Sequence, residues 1–339
     1  MRRSRLDLKL KIEDSRLFNL LIKKHSVLLC LIILYLAIFI PERTGLLSSY
    51  YIQIIMFIGI NIVMTVSLGM VNGFTGQFSI GHGGFMAVGA YVSIFFTTVI
   101  FQLLSLEPPG RTAGGYILFF VSILVGGGFA GFAGLLIGLP TLHLKGDYLA
   151  IVTMAFGEVI RTIIRVSEPL GGPRGVSGVP EMTNFTIVLI FTVASVWLMR
   201  NFLSSTYGRA SRATRDSEIA AEMSGINTTR QKMLVFTISA MFAGVSGGIY
   251  AHILQFIHPD NFTFMKSLEY LIYLYVGGAN SISGAMTGAV VFTIIPELFR
   301  EFQSWRMVLY SLILVGVMLF RPNGIIGERE FVFIKMKSQ

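Results

Sequence analysis

The chain has 339 residues, of which 53% are hydrophobic and only 13% charged, and its net charge is +9. Soluble domains carry about 25% charged residues, so a soluble enzyme of this composition would lack the polar surface to cover itself. A bilayer needs no such cover, and the composition implies an all-α, polytopic helical membrane protein.

The N-terminus is basic from Met1 to Lys24 and then turns apolar. It resembles a long signal peptide, but Pro41-Glu42-Arg43-Thr44 follows where a small-residue cleavage site would stand. Residues 1–25 are read as a basic cytoplasmic segment leading into a retained first span. The only cysteine, Cys30, can form neither an internal disulfide nor a multi-cysteine metal site. Because a span needs about 20 mostly apolar residues, the sequence predicts about ten, near 26–40, 50–71, 85–104, 116–139, 149–166, 185–202, 231–257, 267–279, 285–299 and 306–320. They form one transmembrane domain over 26–320, followed by a tail at 321–339. The segment 149–166 carries Glu158, Arg161 and Arg165, so it is expected inside a bundle, since intramembrane charge is costly.

Lys and Arg gather in three places. These are the N-terminal stretch, the loop 203–230 with Arg209, Arg212, Arg215 and Arg230, and the tail with Arg321, Arg329, Lys335 and Lys337. Ten spans put all three on one side, and the positive-inside rule makes that side cytoplasmic, both termini included. Topology thus accounts for the basic charge without a nucleic-acid partner. Gly127, Gly131 and Gly134 fit close helix packing. The glycine-rich runs at 72–84 and 277–288 also contain Asn, Thr, Ser and Gln, and suit broken or re-entrant helices, which are tolerated only against protein or a watery cavity. Thr75, Gln77, Ser79 and His82, at the first break, are candidates to line a pathway.

No phosphate-binding G-x-x-x-x-G-K-[ST] loop, no H-E-x-x-H pair and no cysteine cluster is present, so neither ATP hydrolysis nor a metal centre is expected in this chain. The histidines are too scattered for a ligand set. In the loop 203–230, the segment 216–224 reads as a short helix with Asp216 or Ser217 as N-cap and Gly225 as C-cap. Its apolar face is Ile219, Ala220 and Met223. Such a helix fits either a solvated surface or the groove of a cytoplasmic partner.

Gly76-Gln77-Phe78-Ser79-Ile80-Gly81-His82-Gly83-Gly84-Phe85 and Leu144-Lys145-Gly146-Asp147-Tyr148 resemble signatures of the permease subunits of branched-chain amino-acid ABC importers. So do Gly171-Gly172-Pro173-Arg174-Gly175-Val176, the run Gly208 to Asn227, Gly277-Gly278-Ala279-Asn280, and Arg321-Pro322-Asn323-Gly324. The Leu144 to Tyr148 block is similar to the M-type member of the permease pair. The resemblance implies a bacterial or archaeal plasma-membrane importer with a second homologous permease, two cytoplasmic ATPases that bind the ATP, and an external solute-binding protein. It also implies that the helix near 216–224 couples to an ATPase, through Arg212, Arg215, Glu218, Ile219, Ala220, Ala221, Met223 and Gly225. This chain departs from the family's E-A-A-x-x-x-G pattern. Ile219 stands where the first Glu is usual, with Glu218 one place earlier. Relatives carrying urea, short amides or aromatic acids look much alike. An ion-coupled secondary transporter is the alternative of another class, with Glu158 as its main candidate ligand, although Arg161 or Arg165 can pair it locally at helical spacing.

Overall fold

A computed structural model of the chain describes residues 32–103, apart from Leu34, Glu42 and Leu46, together with 113–141 and 146–331. The basic segment 1–25, Cys30, the start of the first expected span, His25, Arg111, His143 to Lys145, and the tail beyond 331 lie outside the described residues.

From Ser49 onward eleven α-helices follow one another: α1 Ser49–Asn72, α2 His82–Leu103, α3 Ala113–Thr141, α4 Asp147–Val166, α5 Phe185–Ser204, α6 Thr206–Asp216, α7 Glu218–Met223, α8 Thr228–Leu254, α9 Phe264–Gly277, α10 Ile282–Leu298 and α11 Arg306–Phe320. Nine of them coincide with expected spans. Two-residue strands, β1 Val176–Ser177 and β2 Phe256–Ile257, pair antiparallel and pin two connections together.

The expected spans differ in kind. Among the described residues five helices are long and apolar enough to cross a membrane: α1, α2, α3, α5 and α8. The expected spans at 267–279 and 285–299 form a pair bent by 120° at a short break, which raises the number to six if the pair is one span. α4 is not among them, because Asp147, Glu158, Arg161 and Arg165 line one face of its 20 residues. α11 is apolar but only 15 residues long. The charged residues and glycine-rich break that set these segments apart in the sequence are the physical reason for the difference.

α8 is the central helix. It packs on α2 and α3, and on α1, which in turn carries α5 and the α9–α10 pair. Lipid tails are as apolar as leucine, so membrane helices are not driven together by hydrophobicity and instead depend on close packing of small residues. α8 accordingly buries Ser239, Ala240, Ala243, Gly244, Ser246, Gly247, Gly248 and Ala251. At its crossing with α2, a Cβ on Gly89 would lie 2.0 Å from the Gly244 carbonyl oxygen, so backbone touches backbone there. The Gly127, Gly131 and Gly134 stripe of α3 packs, as expected, against Val245, Met241 and Ala240 of α8.

α10 runs antiparallel to α1. Tyr50, at the start of α1, donates a hydrogen bond to Glu297 near the end of α10. At the opposite end Gly73 lies against Ala279, before α10 begins. That second end gathers the breaks, α6 and the segment 321–331.

Candidate functional site

α1 stops at Asn72, Gly73 to Thr75 turn, and the chain then runs irregular and mostly buried to Gly81 before α2 starts at His82. The stop is built locally. The Thr75 hydroxyl donates to the Val71 carbonyl at 2.6 Å, and the Ser79 amide donates to Asn72 Oδ1 at 3.2 Å. The far side is held by α4 and α9, where the Ile80 amide donates to Thr153 Oγ1 and the Gly83 amide to Ser267 Oγ. Backbone amides that no helix satisfies thus find side-chain acceptors, as membrane depth demands.

Thr75, Gln77, Ser79 and His82 are all buried, but they differ in bonding. Thr75 and Ser79 spend their groups on the break itself. His82 Nε2 lies 2.8 Å from Ser239 Oγ, and that hydroxyl donates to the Ser67 carbonyl. Ser239 has one proton, so the geometry assigns the His82 proton to Nε2. Gln77 is 5% exposed, and among the described residues neither its amide nitrogen nor its amide oxygen has a hydrogen-bond partner. A buried carboxamide left in this state is uncommon and calls for a polar partner. Gln77 is therefore the pathway candidate that the geometry favours.

The candidates in the loop 203–230 form a compact helical module. Sequence reasoning missed α6, an 11-residue helix whose buried face is Gly208, Ser211 and Thr214. Gln231 Nε2 of α8 donates to the Tyr207 carbonyl and to Ser211 Oγ, both at 2.7 Å, and so locks α6 on α8. Arg212 donates to the Leu203 carbonyl at 3.2 Å. Burial, and then the neighbouring Arg215 and Arg209 cations, lowers the pKa of its guanidinium from the ordinary value.

α7 is capped at both ends. The Ser217 hydroxyl accepts from the Ala220 amide, so the N-cap is Ser217, while Asp216 ends α6. At the other end the Gly225 amide donates to the Glu222 carbonyl and the Ile226 amide to the Ala221 carbonyl. With Gly225 at φ +83°, this is the paired-bond termination that a left-handed glycine allows. Glu218 pairs with Lys232 of α8 at 2.6 Å, and Glu222 accepts from the Thr228 hydroxyl. Ala221 is buried, whereas Ala220 is exposed and Ile219 and Met223 stand 74% and 86% exposed. The expected apolar face therefore points away from the bundle.

Arg215 joins the two candidate groups. Its guanidinium donates to the Gly73 carbonyl at 3.3 Å and to Asn280 Oδ1 at 3.4 Å, and Asp216 Oδ1 accepts from it at 2.8 Å. Its stem lies against Gly76. One side chain thus touches both helix breaks. Gln231 and Thr228 were not singled out in the sequence, and Asn280 stood out there only as part of a signature run.

Glu158 is held as its spacing suggested. Arg161 lies 2.6 Å from it and also pairs with Asp260 at 2.8 Å, and the Phe264 amide donates to its second oxygen.

Residues 50–321 match the model of the branched-chain amino acid transport system / permease component family. Over 302 residues the chain is 32% identical to the high-affinity branched-chain amino acid transport system permease protein LivM of Salmonella typhimurium, covering 79% of this chain and 68% of that protein. It is 25% identical to the permease protein LivH of Escherichia coli over 83% of this chain and 97% of that one. Its identity to the autoinducer 2 import system permease protein LsrC of Yersinia pseudotuberculosis is 24%, over 88% and 84% of the two chains. No solved structure matches significantly.

Proposed function

This chain belongs to the permease-component family of branched-chain amino acid transport systems, and we propose that it forms one half of the translocation pathway of an ATP-driven importer for branched-chain amino acids. On this reading a second, homologous permease supplies the other half. Two cytoplasmic ATPases bind and hydrolyse ATP, and an external binding protein delivers the solute. The chain itself holds no cofactor. The loop 203–230 and both termini face the cytoplasm of a bacterial or archaeal cell.

The observation that carries the coupling role is Arg215. An ATPase that seats α7 in a groove moves α6 with it, because only Ser217 separates the two helices. Arg215 then passes that movement to Gly73 and Asn280 at the two breaks. Coupling needs no more than this, provided that ATPase closure binds one arrangement of the breaks better than the other. The outward face of Ile219, Ala220 and Met223 supports the groove, and Ala220 is small enough to let the helix approach closely. The internal ties of Glu158 speak against a free mid-membrane ion ligand, and so against the secondary-transporter reading.

Ala220→Glu tests the assignment. It leaves the bundle untouched but places a bulky unpaired charge in the groove, at a cost of about several kcal/mol. The expected result is normal insertion with loss of ATPase co-purification and of substrate-stimulated ATP hydrolysis in reconstituted vesicles. Unchanged transport with the ATPase still bound would reduce the loop to a solvated connector.

A further inference from the structure

Outside the breaks, a further polar cluster lies between α1, α9 and α10. α1, α8, α9, α10 and α11 line an open cavity of about 610 Å³, within the ordinary range for a small-molecule site. Its walls include Phe57, Ile272 and Phe292, one side carries Lys266 and Glu269, and Glu297, which accepts from the Tyr50 hydroxyl, stands at another. Lys266 and Glu269 pair across one helical turn at 2.7 Å with side chains 24% and 34% exposed. Tyr273 donates a hydrogen bond to Glu269, and the Lys266 ammonium lies 5.4 Å from the centre of the Tyr270 ring. Asn61 and Thr293 add a hydrogen-bonded polar pair opposite.

We propose that this cavity is a transient site for a zwitterionic α-amino acid with an apolar side chain, its carboxylate on Lys266 and its ammonium on Glu269. The proposal rests on the importer reading and adds to it a site and a ligand charge pattern. Partly exposed charges between apolar helices are affordable only beside water or protein, and on the importer reading the second permease covers this face. The pair also selects. An ion of one sign entering here would engage one partner and leave the other charge uncompensated, which is costly at low dielectric. A zwitterion replaces both partners at once, and its side chain meets Phe57 and Phe292. α9 relates the site to the α1–α2 break, because Ser267, next to Lys266, accepts the hydrogen bond from Gly83.

The test uses the complete transporter in vesicles, reading leucine uptake beside ATP hydrolysis stimulated by leucine-loaded binding protein. Lys266→Met and Glu269→Gln should each lower uptake about tenfold or more while hydrolysis persists, and the double variant should stay as low as either. A purely structural ion pair gives the opposite pattern. Removing both charges leaves nothing unpaired, so the double variant recovers, and that outcome overturns the site. Single variants with unchanged uptake overturn it too. Should these variants fail to assemble, Ile272→Cys, with Cys30 replaced, decides. Saturating leucine should slow its alkylation about threefold or more, whereas leucinamide, which lacks the carboxylate, should not. Equal rates with and without leucine reject the site. Unmodified vesicles that take up no leucine would instead sink the importer reading.

Discussion

Glu330 shows what a single side chain does at a helix break. Its carboxylate accepts from the Ile282 and Ser283 amides at 2.8 and 3.1 Å and from the Ser283 hydroxyl at 2.6 Å. The first amides of a helix have no partner within it, and the positive end of its dipole favours an anion, so Glu330 satisfies two needs of α10 at once. Glu330→Ala should lower stability by about 2 kcal/mol, read as a fall in the thermal unfolding midpoint of the purified protein. Glu328→Ala, which removes one exposed bond to Asn280, should cost less than about 0.5 kcal/mol. Nothing in the sequence announced the first contact, because 48 residues separate Glu330 from Ile282 and no local pattern joins them. The cap of α7 was legible for the converse reason. Ser217, Ala220 and Gly225 lie within one short stretch, and their bonding follows from helix geometry alone.

At the scale of elements, legibility followed apolar length. α1, α3, α5 and α8 are long and apolar, and the sequence located them to within a few residues. α6 was missed because a polar, arginine-rich helix carries no apolar signal and takes its stability from Gln231 and the end of α5. The 120° bend between α9 and α10 was foreshadowed by the glycines at 277–288, but its angle depends on packing against α1 and the segment 321–331. The packing of α3 on α8 offers a direct measure of such contact. Gly244→Leu drives a side chain into Ala130 and the Gly126 backbone and should cost about 3 kcal/mol or more. Gly128→Ala, two residues beyond Gly126 but with nothing within 4 Å of the added Cβ, should be neutral or stabilise by up to about 1 kcal/mol. Unfolding midpoints of the two variants, measured side by side, check the contrast. Equal midpoints would mean that the helices do not touch backbone to backbone.

For the whole molecule, the arrangement separates two ends. One holds the breaks, α6, α7 and residues 321–331. The other holds Tyr50, Glu297 and the β1–β2 pair. Accessible positions at each end permit a test of orientation. Ser224→Cys and Ser177→Cys, both exposed and with Cys30 replaced, should respectively resist and accept an impermeant thiol reagent in intact cells. Labelling of Ser224→Cys from outside would reverse the topology and remove the coupling assignment with it. The sequence suggested the sidedness through its arginines, but Ser211, in the same loop, is fully buried and would have been a poor reporter. The Glu330 contact carries a consequence for how the molecule is made. The ribosome delivers this carboxylate only after every helix that it steadies has been handed to the insertion machinery. Until then α9 and α10 sit in the bilayer with the amides at the head of α10 uncapped. A nascent chain stalled or clipped before residue 330 should therefore leave a frayed hairpin, open to membrane proteases, while the earlier bundle around α8 is already closed.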